Sequence, residues 1–346
     1  MTLEQRIHEA EAELFRTVGA DVEECFLDLA NTYARVRVLA HGDGPPLILL
    51  HGVSLSAAAW TPLFPALSGY RLLAVDLPGH GLSDPTTYRP GHVREPARML
   101  IDDIFDALEI DDVPVVGHSL GGMLALWYAA TGSERISRLV AIGEPAVALP
   151  GVRVRIPLSL LTVHGLGVGI LRSPTPRAVY RRLLAQGLGT AEVAAAPDSL
   201  IEALRLSARR PGNASTANSL MHAIDHFRRP RAESVLTTQE LAAIATPTMF
   251  IWGTHAPYLS AEHARPSIDQ IPGATLHEVP GAHGPWLVDT TRSAELIHTH
   301  LASLTAAATG RPASSGGPLI GGGLEGVEHR EARGGAETVN GACDRD

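Results

Sequence analysis

The sequence predicts an α/β fold, a mostly parallel, doubly wound sheet of eight strands with a helical cap inserted before the last two strands. Several short runs, such as Leu47–Leu50, are apolar at every position, which is typical of strands buried on both faces of a parallel sheet. Helical patterns separate these runs, and that alternation indicates crossover connections between parallel strands. Residues 145–236 carry helical patterns without a strong strand and are too many for a plain loop, so they predict the cap.

The predicted strands come first as a pair and then as buried runs. The first two alternate or run apolar on either side of a turn at Asn31-Thr32, as in a hairpin. The others are short apolar runs that end next to Gly, Pro, Asp or His. The predicted strands are Glu24–Ala30, Tyr33–Ala40, Leu47–Leu50, Arg71–Val75, Pro114–Val116, Ser137–Ile142, Thr248–Trp252 and Thr275–Val279. Because ligands bind beyond the carboxyl ends of parallel strands, the residues that follow them are candidates for a site.

The predicted helices fill the intervals between these strands. Ser54 is expected to cap the helix that includes Trp60–Leu67, since a serine at that place can bond an unpaired N–H. From Thr305 onward Ala, Gly and Ser dominate, and this composition predicts disorder. The predicted helices are Met1–Ala20, Trp60–Leu67, Glu95–Leu108, one beginning at Leu120, Thr175–Gln186, Asp198–Ala208, Thr216–Phe227 and Arg292–Leu304. The predicted organisation is an N-terminal helix at 1–22, a core at 23–144 and 237–304, a cap at 145–236 and a disordered tail at 305–346.

Composition narrows the class of protein. A net charge of −9 gives no reason to expect a nucleic-acid partner. Cys25 and Cys343 lie far apart in the chain and do not indicate a disulfide framework. The longest uncharged apolar run, Ile156–Leu171, is shorter than the ~20 residues that span a membrane. The first twenty residues carry glutamates and lack the apolar segment of a secretory signal, so we expect a cytoplasmic protein; no signal indicates its oligomeric state.

One stretch carries the main chemical signal. Ser119 lies in the pattern G-x-S-x-G, between glycines 117 and 121, directly after a predicted strand and before a predicted helix. Such a serine needs a sharp, strained turn to lift its hydroxyl clear of the sheet, and side chains at the glycine positions would collide with the backbone. The motif alone is common, but the strand-serine-helix context is what a nucleophile elbow requires.

Several segments together resemble the α/β-hydrolase family. They are His51-Gly52 after a strand, Asp76 to Ser83 with the letters DLPGHGLS, Gly117 to Gly122, Trp252-Gly253, and Pro280 to His283. The resemblance covers roughly residues 24–304 apart from the cap. It implies Ser119 as nucleophile and His283 as general base, in the family's chain order. An imidazole must remove the proton of a serine hydroxyl as it attacks a carbonyl carbon, and it then returns the proton to the leaving group.

The resemblance also implies an oxyanion hole made of backbone N–H groups. These belong to Leu120, directly after the serine, and to Val53, directly after His51-Gly52. The loss of one such donor typically raises the barrier by about 2.7–4 kcal/mol.

The third member of the expected triad departs from the commonest family pattern. Many relatives have an aspartate three residues after the Trp-Gly pair, but Ala256 stands at that place. We expect Glu144 to supply the acid, because it follows the strand after the serine helix, where some family members place theirs. Glu262 and Asp289 are weaker candidates, since both fit the first turn of a helix. Asp76 and His80 are interpreted as residues that shape a loop.

The nucleophile favours one reaction class. Relatives such as epoxide hydrolases and haloalkane dehalogenases need an aspartate at the elbow, whereas a serine indicates acyl transfer. The resemblance therefore implies a serine esterase that acts on an ester, lactone or thioester and needs no metal or cofactor. The alternatives are an acyltransferase, a perhydrolase or a lyase on the same triad. The missing aspartate at Ala256 also leaves open a binding protein on a decayed hydrolase scaffold.

The cap is expected to select a small-molecule substrate with an apolar acyl group. Residues 145–236 contain twelve arginines and five acids, a net charge of +7. This charge could steer an anionic substrate, or it could form a solvated arginine face. The run Ile156–Leu171 could line an acyl pocket or pack the cap onto the core.

Overall fold

An eight-stranded sheet forms the centre of the structure, a computed structural model that describes residues 1–32, 34–153, 168–169, 175–226 and 229–308. The strands are β1 Glu23–Asp28, β2 Arg35–His41, β3 Pro46–Leu50, β4 Arg71–Val75, β5 Val113–His118, β6 Ile136–Ile142, β7 Thr248–Gly253 and β8 Thr275–Val279. Their order in the sheet is β1-β2-β4-β3-β5-β6-β7-β8. The pairs β1/β2 and β2/β4 are antiparallel and all the others are parallel. The predicted fold class is therefore confirmed, and each predicted strand is present.

Strand β3 shows why its run is apolar at every position. Ile48 and Leu50 pack into the core on one face of the sheet, with Met123 of the helix after β5. Leu47 and Leu49 pack into the core on the other face. Alternate side chains of a strand point to opposite faces, so a sheet covered on both sides needs apolar residues at every position.

Helices cover both faces and build the cap. Their bounds are α1 Leu3–Val18, α2 Arg94–Ala107, α3 Leu120–Ala129, α4 Arg177–Leu188, α5 Thr190–Ala195, α6 Asp198–Ser207, α7 Asn213–Ile224, α8 Thr238–Ala243, α9 Ala261–Ile268 and α10 Thr290–Ala308. Short 3-10 helices span Ala57–Leu67, Ala232–Ser234 and Pro285–Leu287. Helices α4 to α7 lie between β6 and β7 in the chain, where the cap was predicted. Residues 305–308 belong to α10, so the prediction of a disordered tail was wrong for these residues. The rest of the predicted tail and almost all of the run Ile156–Leu171 lie outside the described residues.

The helix after β3 differs from its prediction. It is a 3-10 helix that begins after Ser56, and Ser54 has a positive φ of 61° outside it, so the expectation of a Ser54 cap was wrong. Pro62 and Pro65 lie inside this helix and lack the N–H that an α-helix would need there. The first N–H of the helix, from Ala57, is bonded by the Asp76 carboxylate at 2.7 Å.

Asp76 organises the loop that follows β4. Its carboxylate accepts hydrogen bonds from the Leu82 N–H at 2.8 Å and from Arg37 Nε at 2.7 Å, and Arg37 also holds Glu11 of α1 through two bonds of 2.8 Å. Burial alone would raise the pKa of Asp76, but Arg37 and the backbone donors outweigh it and hold that pKa below its usual value. Removing one partner of such a buried pair typically costs about 3–5 kcal/mol. These contacts agree with the interpretation of Asp76 as a loop-shaping residue.

Two further observations bear on the composition. Cys25 is disulfide-bonded. This bond was not expected from the spacing of the two cysteines, and Cys343 lies outside the described residues. Within the described ranges, no helix is both long enough and apolar enough to cross a membrane.

Candidate active site

Ser119 lies at the sharp turn between β5 and α3. Its φ of 49° and ψ of −106° are strained for a residue with a side chain. A Cβ on Gly121 would lie 2.1 Å from the Leu50 carbonyl oxygen, and one on Gly117 would lie 2.5 Å from the Gly122 nitrogen. The turn can therefore form only with glycine at both positions, which is the physical content of the motif.

His283 lies in the loop after β8, and this loop packs tightly on the ends of two neighbouring strands. A Cβ on Gly253, the last residue of β7, would lie 1.8 Å from the Ala282 carbonyl oxygen. A Cβ on Gly143, directly after β6, would lie 2.4 Å from the His283 carbonyl oxygen. The two glycines thus allow the histidine loop to approach the sheet beside Glu144.

Glu144 is fully buried and contacts His283 directly. Its Oε2 hydrogen-bonds His283 Nδ1, and its Oε1 accepts the Tyr258 N–H at 2.9 Å. Both carboxylate oxygens are therefore occupied, one by the imidazole and one by the main chain of the segment that contains Ala256. Glu144, which follows β6, thus places a carboxylate beside His283, where Ala256 has none to offer.

The other two acids considered from the sequence lie elsewhere. Glu262 is exposed in the first turn of α9. Asp289 accepts the Arg292 N–H at 3.0 Å and so caps α10. Among the three candidate acids, the structure brings Glu144 to His283.

Ser119 and His283 both line one cavity of about 240 Å³. No hydrogen bond between the serine hydroxyl and the imidazole occurs in the described part of the chain. Catalytic hydrogen bonds are often long in structures without substrate and shorten when one binds. Because Glu144 occupies Nδ1, the other ring nitrogen, Nε2, is the one available to the serine.

The two predicted oxyanion donors also line this cavity. Neither the Val53 N–H nor the Leu120 N–H has an acceptor among the described residues. His51 determines how the Val53 N–H points, because its Nδ1 donates to the Gly52 carbonyl at 2.7 Å while its Nε2 accepts the Leu77 N–H at 3.0 Å. A trans peptide directs its C=O and N–H to opposite sides, so holding the Gly52 carbonyl also fixes the Val53 N–H. Burial, together with the neighbouring His80, lowers the pKa of His51 to about 3, which keeps the ring neutral in this role.

His118, directly before Ser119, contacts the histidine loop in a way that the sequence did not reveal. Its Nε2 donates to the His283 carbonyl at 3.1 Å, and the two rings lie 4.7 Å apart. Burial, with a further contribution from His283, lowers the pKa of His118 well below its usual value. A neutral His118 can therefore support the histidine loop without placing a second positive charge beside it.

The cap also holds the histidine loop. The Leu188 carbonyl at the end of α4 accepts the His283 N–H at 2.8 Å. Glu192 of α5 is fully buried, and its carboxylate accepts the Ala282 N–H. Tyr258, whose ring lies edge-on to His283, donates its hydroxyl to the Gly187 carbonyl at 3.0 Å. These contacts join residues far apart in the chain, so no local pattern predicts them.

We expect Glu192→Ala to lower kcat by about 10- to 100-fold, because small displacements of a catalytic group cost about that much. The change in KM should be smaller, since Glu192 bonds the loop of His283 and does not line the cavity. Steady-state kinetics on a nitrophenyl ester would measure both. Asp198→Ala removes an exposed cap acid as a control and should leave kcat unchanged. An equal loss in both variants would contradict a specific role of Glu192.

The wall of the cavity is mainly apolar and comes largely from the cap. Arg205 and Arg209 are charged members of the wall, and Arg205 is paired with Glu202 through two bonds of 2.6 and 2.9 Å. Representative apolar members are Val147, Leu183, Leu184, Leu188, Leu220 and Ile224. Within the described residues, no group of three His, Cys, Asp or Glu side chains could hold a metal ion.

Comparisons with known proteins agree with this architecture. A family model described as the alpha/beta hydrolase fold matches residues 45–289. The 2-hydroxymuconate semialdehyde hydrolase of Pseudomonas sp. strain CF600 is 30% identical over 290 residues, which cover 80% of this chain and 94% of that protein. A pimeloyl-[acyl-carrier protein] methyl ester esterase of Shewanella sp. strain MR-7 is 29% identical over 226 residues, covering 63% and 76%. The structure of carboxylesterase CesB from Bacillus subtilis has a TM-score of 0.66 at 20% identity and covers 88% of this chain and 99% of its own, a likeness of fold.

Proposed function

Since this chain belongs to the α/β-hydrolase family of enzymes, we propose that it is a serine hydrolase that cleaves a carboxylic ester-type bond through an acyl-enzyme on Ser119. The observation that carries the proposal is the bond between the Glu144 carboxylate and His283 Nδ1, beside a cavity that His283 and Ser119 both line. A serine, a histidine and a buried acid in this relation are the groups that acyl transfer requires.

The proposed reaction has two halves. His283 Nε2 takes the hydroxyl proton of Ser119 as the oxygen attacks the substrate carbonyl carbon, and the N–H groups of Val53 and Leu120 bind the resulting oxyanion. The tetrahedral intermediate then breaks its bond to the leaving alcohol, which receives the proton from His283. Water, deprotonated by the same imidazole, attacks the acyl-enzyme and releases the acid and the free serine.

The substrate that fits best is a small molecule with an apolar acyl group. The cap side chains that line the cavity are mainly aliphatic, and burial of apolar surface stabilises such a group by roughly 25 cal/mol per Å². The relative from Shewanella is an ester hydrolase by name, which supports the same bond type. The relative from Pseudomonas favours a second candidate, hydrolysis of a semialdehyde substrate such as its name describes.

Covalent labelling tests the proposal directly. A fluorophosphonate probe should label the native protein with one probe per chain, and mass spectrometry of the digested protein should locate the probe on Ser119. Turnover of nitrophenyl esters in water and in added alcohol would separate a hydrolase from an acyltransferase, because the transferase would form the new ester. A protein that neither takes up the probe nor turns over an ester would be a binding protein, and the proposal would be wrong.

A further inference from the structure

The N-terminal helix α1 packs against the cap helix α6, although the two helices are far apart in the chain. Its buried side chains are Ile7, Glu11 and Leu14, which recur after four and then three residues and so lie on one face of the helix. All three residues are at most 1% exposed. This face therefore carries the contacts that hold α1 to the rest of the protein.

The later part of this face is fixed to the core. Glu11 accepts two hydrogen bonds of 2.8 Å from the guanidinium of Arg37 on β2, and both side chains are buried. Two N–H···O bonds from one guanidinium to one carboxylate define orientation as well as distance. Leu14 packs into the core cluster that also contains the buried side chains of the 3-10 helix Ala57–Leu67. Contacts with the core therefore define the position of α1 relative to the sheet.

The first turns of α1 contact the cap instead. Ile7 forms a small buried cluster with Leu206 of α6 and with Leu82 of the loop after β4. Arg210, three residues after the end of α6, donates to Glu4 of α1 at 3.2 Å and to two backbone carbonyls of the same loop at 3.2 and 3.0 Å. Ile7 is thus the fully buried side chain of α1 that packs with the cap helix.

Helix α6 lies between this cluster and the substrate cavity, which is the cavity that Ser119 and His283 line. Arg205 of α6 and Ala208, directly after the helix, line the substrate cavity, whereas Leu206 belongs to the cluster with α1. Successive residues of a helix are about 100° apart around its axis, so these neighbours belong to different sides of α6. A movement of α6 towards α1 would therefore widen the substrate cavity.

We propose that the bulk of Ile7 sets the distance between α1 and α6 and thereby the width of the substrate cavity. Ile7 is a positioning residue, because it does not line the cavity itself. Protein interiors are closely packed, so a void left beside Leu206 is partly filled by movement of the surrounding helices. The inference rests on the proposed function, since it makes Ile7 a determinant of the acyl chains that the enzyme accepts.

Acyl-chain profiles of variants at position 7 test the inference, with kcat/KM measured on a series of nitrophenyl esters of increasing acyl length. Ile7→Val and then Ile7→Ala should move the best substrate to progressively longer acyl chains. The ratio of long-chain to short-chain kcat/KM should rise about 4-fold for each methylene newly accommodated, while kcat on the shortest ester stays close to native. Leu14→Ala is the matched control, since it shortens another fully buried side chain of α1, one that packs on the core, and it should keep the native profile.

The inference is overturned if the Ile7 variants keep the native profile, or if Leu14→Ala shifts it as much as Ile7→Ala does. Ile7→Val removes a single methylene and decides the matter should Ile7→Ala fail to fold. Ligand-observed NMR with straight-chain alcohols of increasing length ranks binding without turnover. A preference for longer alcohols in the Ile7 variants alone would support the inference even if no ester were hydrolysed and the proposed function failed. An unchanged preference in that case would overturn it.

Discussion

Replacing Ser119 with alanine is expected to lower kcat on a nitrophenyl ester by about 10⁴- to 10⁶-fold, the range that loss of an activated serine produces. The oxyanion donors and the apolar cavity remain, so KM should change only a few-fold. The melting temperature should not fall, because the hydroxyl of Ser119 forms no hydrogen bond in the described structure and alanine fits the same turn. Steady-state kinetics and thermal unfolding of the purified protein would measure all three quantities.

Ser260→Ala provides the control for that substitution. Ser260 caps α9 by accepting the His263 N–H at 3.4 Å, and it does not line the cavity. Its loss should leave kcat unchanged. Substantial ester turnover by Ser119→Ala would show that another group is the nucleophile.

We expect Glu144→Gln to lower kcat by about 10⁴-fold, the loss typical when the acid of a triad becomes an amide. The Tyr258 N–H needs an acceptor, so the glutamine oxygen should take that place and turn its NH₂ group toward His283. Nδ1 would then accept a hydrogen bond, and the proton of the imidazole would move to Nε2. A protonated Nε2 cannot take the proton of Ser119, although the shape of the site is preserved.

Glu262→Gln is the matched control, since it makes the same chemical change on the exposed first turn of α9. This variant should retain full activity. Circular dichroism and thermal unfolding should show that Glu144→Gln remains folded. A near-normal kcat in Glu144→Gln would move the acid to another residue, and the proposed triad would need revision.

The fold and the positions of the principal site residues could be predicted from the sequence because their signals are local. A parallel strand buried on both faces, such as β3, needs apolar side chains on both faces, and this requirement is visible in the apolar run Leu47–Leu50 of the sequence. The glycines beside Ser119 are required by backbone contacts within a few residues of the serine. Glu144 was selected because it follows the strand after the serine helix, where some family members place their acid, and because strand ends at the same edge of a parallel sheet lie close together.

The residues that sequence reasoning missed are determined by contacts between distant parts of the chain. Glu192 bonds Ala282, 90 positions away, and nothing in the sequence around Glu192 distinguishes it from a surface glutamate. Ser56 rather than Ser54 precedes the helix after β3, and Asp76, which follows β4, bonds the first N–H of this helix. Such contacts depend on how the elements pack, so the local sequence of one segment does not predict them.

The bond between the Leu188 carbonyl and the His283 N–H has a consequence for engineering. Deleting the cap would open the cavity to bulkier substrates without other effects only if the core alone held the catalytic residues in place. Here the cap also holds the loop of His283, the proposed general base. A variant without the cap is therefore expected to admit larger molecules and to hydrolyse small esters more slowly.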